Sequence, residues 1–131
     1  MTFLESPYVN NVSTGVFHEF DEPFQLSVEF PALIVYTFEL EATAPLLSTE
    51  DVSVKLYIAS DPDPTIEVSD AYLASAQLAG IGLVSIQTVS RQVVTGWVPP
   101  GYYAKISMIA TGTATATLVN ALEVVFDNNQ P

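Results

Sequence analysis

Residues 97–126 read WVPPGYYAKISMIATGTATATLVNALEVVF, and this stretch decides the fold class. It predicts two β-strands joined by a Thr111-Gly112-Thr113 turn and preceded by a Pro99-Pro100 corner that ends in glycine. Past the turn, threonines alternate with apolar residues, and a period of two with one apolar face is typical of a half-buried strand. The alternation predicts that one face of the last strand carries Thr113, Thr115 and Thr117 and the other Ala114, Ala116, Leu118, Leu122, Val124 and Phe126.

The composition favours one compact β-rich domain. At 131 residues the chain is long enough to bury a core. It is 49% hydrophobic and only 14% charged, well below the usual ~25% charged residues of a soluble domain. No run approaches the ~20 apolar residues of a membrane-spanning helix, so membrane insertion is not expected. We expect Thr, Ser and Ala to cover much of the surface. We also expect the chain to form a homo-oligomer whose subunit contacts bury part of that surface.

The charge balance narrows the choice of partners. The chain has fifteen acidic residues and only three basic ones, Lys55, Arg91 and Lys105, so its net charge is −12. Nucleic acid and anionic membranes need clustered basic residues and are therefore not expected partners. Twelve of the fifteen acids lie between Glu5 and Glu67, which we interpret as a solvated acidic face. The alternative is a docking surface for a basic partner or for divalent cations.

We divide the chain into an extended N-terminal arm (residues 1–11), a single β-sandwich domain (12–126) and a flexible polar tail (127–131). Within the arm, Phe3, Leu4 and Tyr8 are apolar and are predicted to contact the domain or a neighbour. The chain has no cysteine, which excludes disulfides and thiolate metal sites. The first residues do not resemble a secretory signal, so synthesis in the cytoplasm is expected.

Turn signals about every ten residues predict about eight strands, as in an antiparallel β-sandwich of the jelly-roll kind. The clearest inward-facing positions are predicted in residues 33–41 (Ile34, Tyr36, Phe38 and Leu40) and 52–58 (Val52, Val54, Leu56 and Ile58). Further strands are predicted over residues 12–20 and 24–30, and over 83–98 as one bent piece or two. Residues 69–80 are rich in Ala and Leu between Ser69 and Gly80, which predicts one short helix.

The search for catalytic chemistry favours a protein that is not an enzyme. His18 is the only histidine and the only ordinary general base near neutral pH. On a strand between Phe17 and Glu19 it is better interpreted as a structural or surface histidine. The sequence contains no Gly-x-Ser-x-Gly elbow and no glycine-rich phosphate loop. We therefore predict no catalytic, cofactor-binding or metal-binding residues.

Two groups of acids provide alternatives to that prediction. Glu39 and Glu41 share a strand face, with Glu29 possible beside them, as an acid–base pair for glycoside hydrolysis would require. Asp61 and Asp63, with Glu67 nearby, offer the hard oxygens that Ca²⁺ prefers. We expect the second group to be an acidic, proline-rich turn. It lacks the spacing of an EF-hand.

Aromatic residues flank the Pro-Pro-Gly corner. Tyr102 and Tyr103 are adjacent, so on a strand they point to opposite sides, one inward and one outward. An exposed tyrosine near Trp97 could stack on a sugar ring or anchor a protein contact. Alternatively, Trp97 closes one end of the sandwich. The predicted protein-contact residues are Phe3, Leu4, Tyr8, Trp97 and Tyr103.

The segment VPPGYYAKISMIATGTATATL (residues 98–118) resembles the closing strands of small β-sandwich structural proteins from tailed bacteriophages. An N-terminal arm before one acidic, cysteine-free β domain is similar to capsid decoration, or cement, proteins. The resemblance implies a homotrimer or other oligomer that sits on the virion, bridges major capsid protein subunits and needs no cofactor. The alternative hypothesis is a carbohydrate-binding or fibre-tip module that uses Trp97 and an adjacent tyrosine.

Overall fold

The computed structural model describes residues 11–14, 18–44, 48–77 and 86–126. These residues form strands and no helix, and every strand pair is antiparallel, so the predicted all-β class is confirmed. In chain order the strands are β1 (Asn11–Thr14), β2 (Ala32–Ala44), β3 (Ser48–Ala59), β4 (Ile66–Gln77), β5 (Ile86–Val98), β6 (Tyr103–Ala110) and β7 (Thr115–Val125).

The strands form two sheets. One has four strands in the order β1-β7-β2-β5, and the other has three in the order β4-β3-β6. Outside these strands, Phe24 forms a single antiparallel bridge with Ala104 of β6. Their backbones exchange two hydrogen bonds of 2.9 and 2.8 Å, so the segment around Phe24 covers part of the β6 edge.

Both sheets contribute to one hydrophobic core. Buried and half-buried residues alternate along β2 from Ala32 to Ala44, as a strand with one face in the core requires. The predicted inward positions in residues 33–41 and 52–58 are confirmed, since all eight are buried. Each large side chain removed from water there stabilises the fold by about 1.5–3 kcal/mol. The largest fully buried side chains are Tyr36, Phe38, Ile34, Leu40, Leu56, Val52, Val54, Val94, Val98 and Pro64.

Side chains join the two sheets where β5 and β4 lie next to each other. The Gln92 side-chain amide accepts from the Tyr72 N–H at 3.0 Å and donates to the Tyr72 carbonyl at 2.7 Å. Ser69 Oγ accepts from the Thr95 N–H at 3.1 Å. A Cβ at Gly96 would lie 2.9 Å from Leu56 Cδ2, so glycine permits this close approach. These contacts satisfy backbone groups of edge strands that would otherwise be open to pairing.

The predicted helix over residues 69–80 is wrong. Its described part belongs to β4, which pairs with β3 along Ser48–Ile58. Ala71 opposite Val54 is buried in the core, and Tyr72 on the other face is exposed. Helix propensity is a weak preference that tertiary pairing overrides. Here the small residues fit against β3. Gly80, the predicted end of the helix, lies outside the described residues.

The predicted strand over residues 24–30 is also wrong. The segment bends instead, because Ser27 Oγ accepts from the Phe30 N–H at 3.1 Å and the Ser27 carbonyl accepts from the Gly101 N–H at 3.0 Å. Local side-chain bonds of this kind compete with ladder formation. Val28, predicted to face the core, is exposed, while Phe24 and Leu26 pack against the core.

Other predicted strands have different bounds. The strand predicted over residues 12–20 ends at Thr14, and His18, Glu19 and Phe20 lie outside regular structure. The strand predicted over 83–98 is one continuous strand from Ile86 in its described part. The described residues therefore form seven strands rather than about eight. Residues 1–10 of the predicted arm and the predicted tail 127–131 lie outside the described residues, and residue 11 begins β1.

A β-bulge in β7 reverses the alternation on which the first prediction was based. Thr37 pairs with Asn120 but Phe38 pairs with Leu118, so Val119 is an extra residue. Before the bulge, Ala114 is buried and Ala116 and Leu118 pack against the core, as predicted. After it, Ala121 and Glu123 face inward. Leu122 and Val124 are therefore on the outer side, contrary to the predicted facing, because an inserted residue exchanges the two faces of a strand. Val124 is nevertheless buried there, at 8% exposure.

Candidate functional site

The bulge places the Glu123 carboxylate on the inner side of β7, where Glu123 is only 5% exposed. Glu123 Oε2 accepts a hydrogen bond from the buried Tyr36 hydroxyl of β2. The same oxygen lies 2.7 Å from His18 Nε2. A carboxylate can only accept, so Nε2 carries the proton in this pair. A buried carboxylate needs such partners, because burial without them is costly.

The segment that carries His18 is held against the core by its aromatic rings. The His18 and Phe24 rings stack with centroids 3.7 Å apart and planes within 3° of parallel. Phe20 stacks on Phe38 of β2 at 6.0 Å. Asp21 has a left-handed backbone (φ 65°), which Asp tolerates better than most residues. His18 is thus held by Glu123 on one side and by Phe24 on the other.

An open pocket of about 430 Å³ lies beside this segment. It is lined by His18, Glu19, Glu22, Pro23 and Phe24. Apart from the histidine, its polar side chains are carboxylates, so the pocket presents negative charge. A cationic or hydrogen-bond-donating group suits it better than an anion.

The chemistry of the Tyr36–Glu123–His18 cluster is that of a structural network. Burial, followed by the hydrogen bond to Glu123 and its negative charge, raises the pKa of Tyr36 far above its ordinary value. The phenol therefore stays protonated and donates to Glu123. His18 Nε2 donates to the same carboxylate, which fixes the orientation of the imidazole ring.

A second buried carboxylate, Glu50 of β3, was not predicted. Glu50 is 6% exposed and accepts from the backbone N–H groups of Thr113 (3.1 Å) and Thr43 (3.3 Å). The Thr113 hydroxyl adds a bond of 3.1 Å. A Cβ at Gly112, whose φ is +58°, would lie 2.0 Å from Glu50 Oε1. Glu50 thus fixes the turn that leads into β7, and the turn needs glycine to make room for it.

The carboxylates considered for acid–base chemistry have separate partners on an exposed surface. Glu39 pairs with Arg91 across β2 and β5 at 3.2 Å. Glu41 accepts from the Gln87 side-chain amide on the same pair of strands. Glu29 lies in the exposed bend before β2 and does not share their strand. These cross-strand contacts are typical of a solvated sheet face.

The acids considered for Ca²⁺ are also separated. Asp61 Oδ1 accepts from the Asp63 N–H at 2.9 Å, which is a local turn bond. Glu67 pairs with Lys55 at 2.9 Å on the neighbouring strand. Among the described residues, no three side chains of His, Asp or Glu come together as a metal site would require.

The aromatic residues near the corner lie on different sheets. Trp97, the second-to-last residue of β5, lies on the outer side of the four-stranded sheet. It is 52% exposed and packs against Phe126 with ring centroids 5.2 Å apart. Tyr103 begins β6 in the three-stranded sheet on the side opposite the buried Ala104, and is half-buried. Tyr102 packs against the core. The structure does not bring Trp97 and Tyr103 together. Phe3, Leu4 and Tyr8 lie outside the described residues.

Trp97 belongs to an apolar patch on the outer face of the four-stranded sheet. Register places Trp97 opposite Leu33, Thr95 opposite Val35 and Val35 opposite Leu122. These rows contain no charged side chain on the outer face. Val93, the next outward residue of β5, is 49% exposed. We define the apolar patch as Leu33, Val35, Val93, Trp97, Leu122 and Phe126.

Comparison with known proteins gives no relative. No family model matches the chain, and no curated protein matches it. In the described part of the chain, no helix is long and apolar enough to cross a membrane.

Sequence reasoning missed Glu50, Glu123 and Tyr36 as parts of polar clusters. Glu123 is the only charged residue in the apolar run ALEVVF (residues 121–126), which indicates an unusual environment for its side chain. The predicted alternation nevertheless assigned it to the solvent side. Only the register with β2 shows the bulge that turns it inward. Glu50 gives no comparable signal, because its donors are backbone groups of Thr43 and Thr113, far from it in sequence.

Proposed function

We propose that this protein is a non-enzymatic structural protein, a phage capsid decoration protein that stabilises the shell through protein–protein contacts as an oligomer. The observation that carries the proposal is the charge-free apolar patch on an otherwise acidic domain, in which Val93 and Trp97 are 49% and 52% exposed and the other four residues are half-buried. A patch of this kind, rimmed by polar residues, is typical of an interaction surface. The capsid role itself depends on the resemblance of residues 98–118.

A jelly-roll sandwich is the proposed architecture. If the segment around Phe24 counts as one strand, the antiparallel pairs are nested: β1 with β7, Phe24 with β6, β2 with β5, and β3 with β4. First pairs with last and second with second-to-last, as in a long hairpin rolled into two sheets. The common core of the two sheets supports this arrangement. Jelly rolls are frequent among viral capsid domains, although fold alone does not fix function.

The polar clusters support a building role as well. Glu50 and Glu123 bind groups of the chain itself, and Glu39 and Glu41 bind Arg91 and Gln87 across strands. Such contacts order the fold. The sugar-binding alternative would use Trp97 with an adjacent tyrosine. It receives less support, because Trp97 faces Phe126 and Tyr103 belongs to the other sheet.

The direct test is binding to capsid shells. Shells assembled from the major capsid protein of the phage that encodes this chain are incubated with the purified protein and sedimented. We expect the protein to sediment with the shells in a saturable ratio and to raise their melting temperature. A protein that stays in the supernatant at every concentration, with unchanged shell melting, would contradict the proposal.

A further inference from the structure

We infer that residues 1–10 of one copy bind the apolar patch of a neighbouring copy, so that the chain assembles by exchange of its N-terminal segment. The inference rests on the proposed oligomer and specifies its contact. Three observations support it. They are the position of the apolar patch, the point at which the N-terminal segment joins the sheet, and the low charge of both the patch and the segment.

The patch and the N-terminal segment are at the same end of the four-stranded sheet. Asn11 pairs with Val125, and Val125 pairs with Ala32. This row is next to the row that contains Leu33 and Trp97. The chain therefore enters the sheet at the end where the patch lies. Ten residues reach at most ~33 Å when extended, while the strands that carry the patch are ~4.8 Å apart.

The two surfaces are chemically matched. Residues 1–10 (MTFLESPYVN) contain the large apolar residues Phe3, Leu4 and Tyr8 and one acid, Glu5. The outer rows of the patch contain no charged residue, whereas Arg91, Glu39 and Glu41 lie further along the same face. An apolar segment with little charge can cover this surface without burying an unpaired charge, which would be costly.

Charge favours an exchanged segment over direct contact between domains, and chain direction favours a neighbouring copy over the same copy. Each chain carries a net charge of −12, so two domains pressed face to face would repel one another. A nearly uncharged segment that reaches across lets the domains stay apart while apolar surface is still buried. Strand β1 runs from the patch end into the sheet. To cover its own patch, the preceding chain would have to reverse and cross β7 and β2.

The test compares the masses of four proteins, measured by light scattering after size-exclusion chromatography. These are the natural chain, a deletion of residues 1–10, Val93→Asp within the patch, and Val89→Asp as the matched control. Val89 lies on the same face of the same strand and is 51% exposed, but it is outside the patch. We expect the natural chain and Val89→Asp to have a multiple of the 14.1 kDa chain mass. The deletion and Val93→Asp should both fall to one chain mass.

Mixing provides the decisive measurement. The deletion variant keeps the patch but lacks the segment, and Val93→Asp keeps the segment but has a damaged patch. If exchange occurs between copies, the two monomers should combine into a 1:1 complex of twice the chain mass. Docking within one copy predicts instead that the natural chain has one chain mass. Circular dichroism checks that each variant is folded, and Trp97→Gln replaces Val93→Asp if the latter is not.

Several outcomes would overturn the inference. These are a monomeric natural chain, a deletion variant that keeps the natural mass, equal behaviour of the two aspartate variants, or a mixture that stays monomeric. The capsid proposal fails separately. A monomer that still binds shells refutes segment exchange alone, whereas an oligomer that does not bind shells refutes the capsid role alone.

Discussion

Two buried carboxylates hold opposite ends of β7, and they do so with different donors. Glu50 binds the Thr111–Ala114 turn before the strand through the Thr113 N–H, and it also accepts from the Thr43 N–H of β2. Glu123, near the other end, binds the Tyr36 hydroxyl and His18 Nε2. One carboxylate thus depends mainly on backbone N–H groups, and the other on two side chains.

This difference has consequences for substitution and for pH. Glu50 uses both of its oxygens, with Oε1 bound to the Thr113 N–H and Oε2 to the Thr43 N–H. The described bonds of Glu123 both go to Oε2. We therefore expect the Glu50 site to be sensitive to shape. The Glu123 site should tolerate an isosteric amide and respond to alkaline pH through Tyr36.

The largest effect is expected from adding a methyl group beside Glu50. In Gly112→Ala, a left-handed backbone costs about 1–2 kcal/mol, and displacement of Glu50 from its donors adds about 1–3 kcal/mol. Gly101→Ala is the matched control, because Gly101 is also left-handed (φ +77°) but its Cβ would meet only the Val28 carbonyl oxygen, at 3.5 Å. Urea unfolding measures both free energies. Equal losses in the two variants would show that Glu50 does not depend on the space at Gly112.

Isosteric amides should separate the two carboxylates. In Glu50→Gln, an NH₂ group faces a backbone N–H that it cannot accept from, so we expect a loss of about 1–3 kcal/mol. In Glu123→Gln, the amide oxygen can replace Oε2 toward both donors. The two hydrogen bonds then lose only the extra strength that the negative charge of the carboxylate gives them, about 1 kcal/mol. Urea unfolding of both variants near neutral pH makes the comparison. A Glu123→Gln loss that exceeds the Glu50→Gln loss would contradict the assignment of donors.

Alkaline pH should act on the Glu123 end through Tyr36. The pKa of Tyr36 is raised in the folded state by burial and by Glu123, so the folded chain keeps a proton that the unfolded chain loses above its ordinary pKa of 10.0. Stability from this group is complete below that value and falls above it, by at most about 1.4 kcal/mol per pH unit. We expect Tyr36→Phe to be less stable than the natural chain near neutral pH but to lose less between about pH 9 and pH 11.

Tyr72 provides the control for this measurement. The pKa of Tyr72 is also raised, chiefly by its hydrogen bond to Asp51, but Tyr72 is exposed to solvent. Tyr72→Phe should therefore leave most of the alkaline loss of the natural chain in place. If the two phenylalanine variants have the same pH profile, the buried phenol is not the source of the alkaline sensitivity.

The sequence predicts the class of the fold because its strongest signals come from local alternation. The inward positions predicted around Tyr36 and Val54 are all correct, although both strands extend beyond the predicted bounds, since one face of each is buried along its whole length. The helix prediction for the Ala-rich segment that begins at Ser69 is wrong for the opposite reason. Its residues are compatible with either helix or strand, and pairing with β3, which is distant information, decides the outcome.

The polar clusters could not be predicted because they are products of register. A one-residue bulge at Val119 turns Glu123 from solvent to core, and no local pattern marks it. His18 meets Glu123 across 105 positions of the chain. The apolar patch is a similar case. Trp97 was singled out for its own chemistry, whereas its neighbours Leu33 and Leu122 come from strands that alternation alone does not order.

The smallest effect is expected where a carboxylate is not buried. Glu39 pairs with Arg91 at 3.2 Å, but Arg91 is largely exposed, and exposed ion pairs contribute at most about 0–1 kcal/mol. We expect Glu39→Gln to change the free energy of unfolding by less than about 0.5 kcal/mol, an effect that added salt screens further. Urea unfolding at low and high salt provides the check. A loss as large as that of Glu50→Gln would mean that this face is covered in solution. In that case the charged part of the outer face, and not only the apolar patch, would lie in a contact between copies.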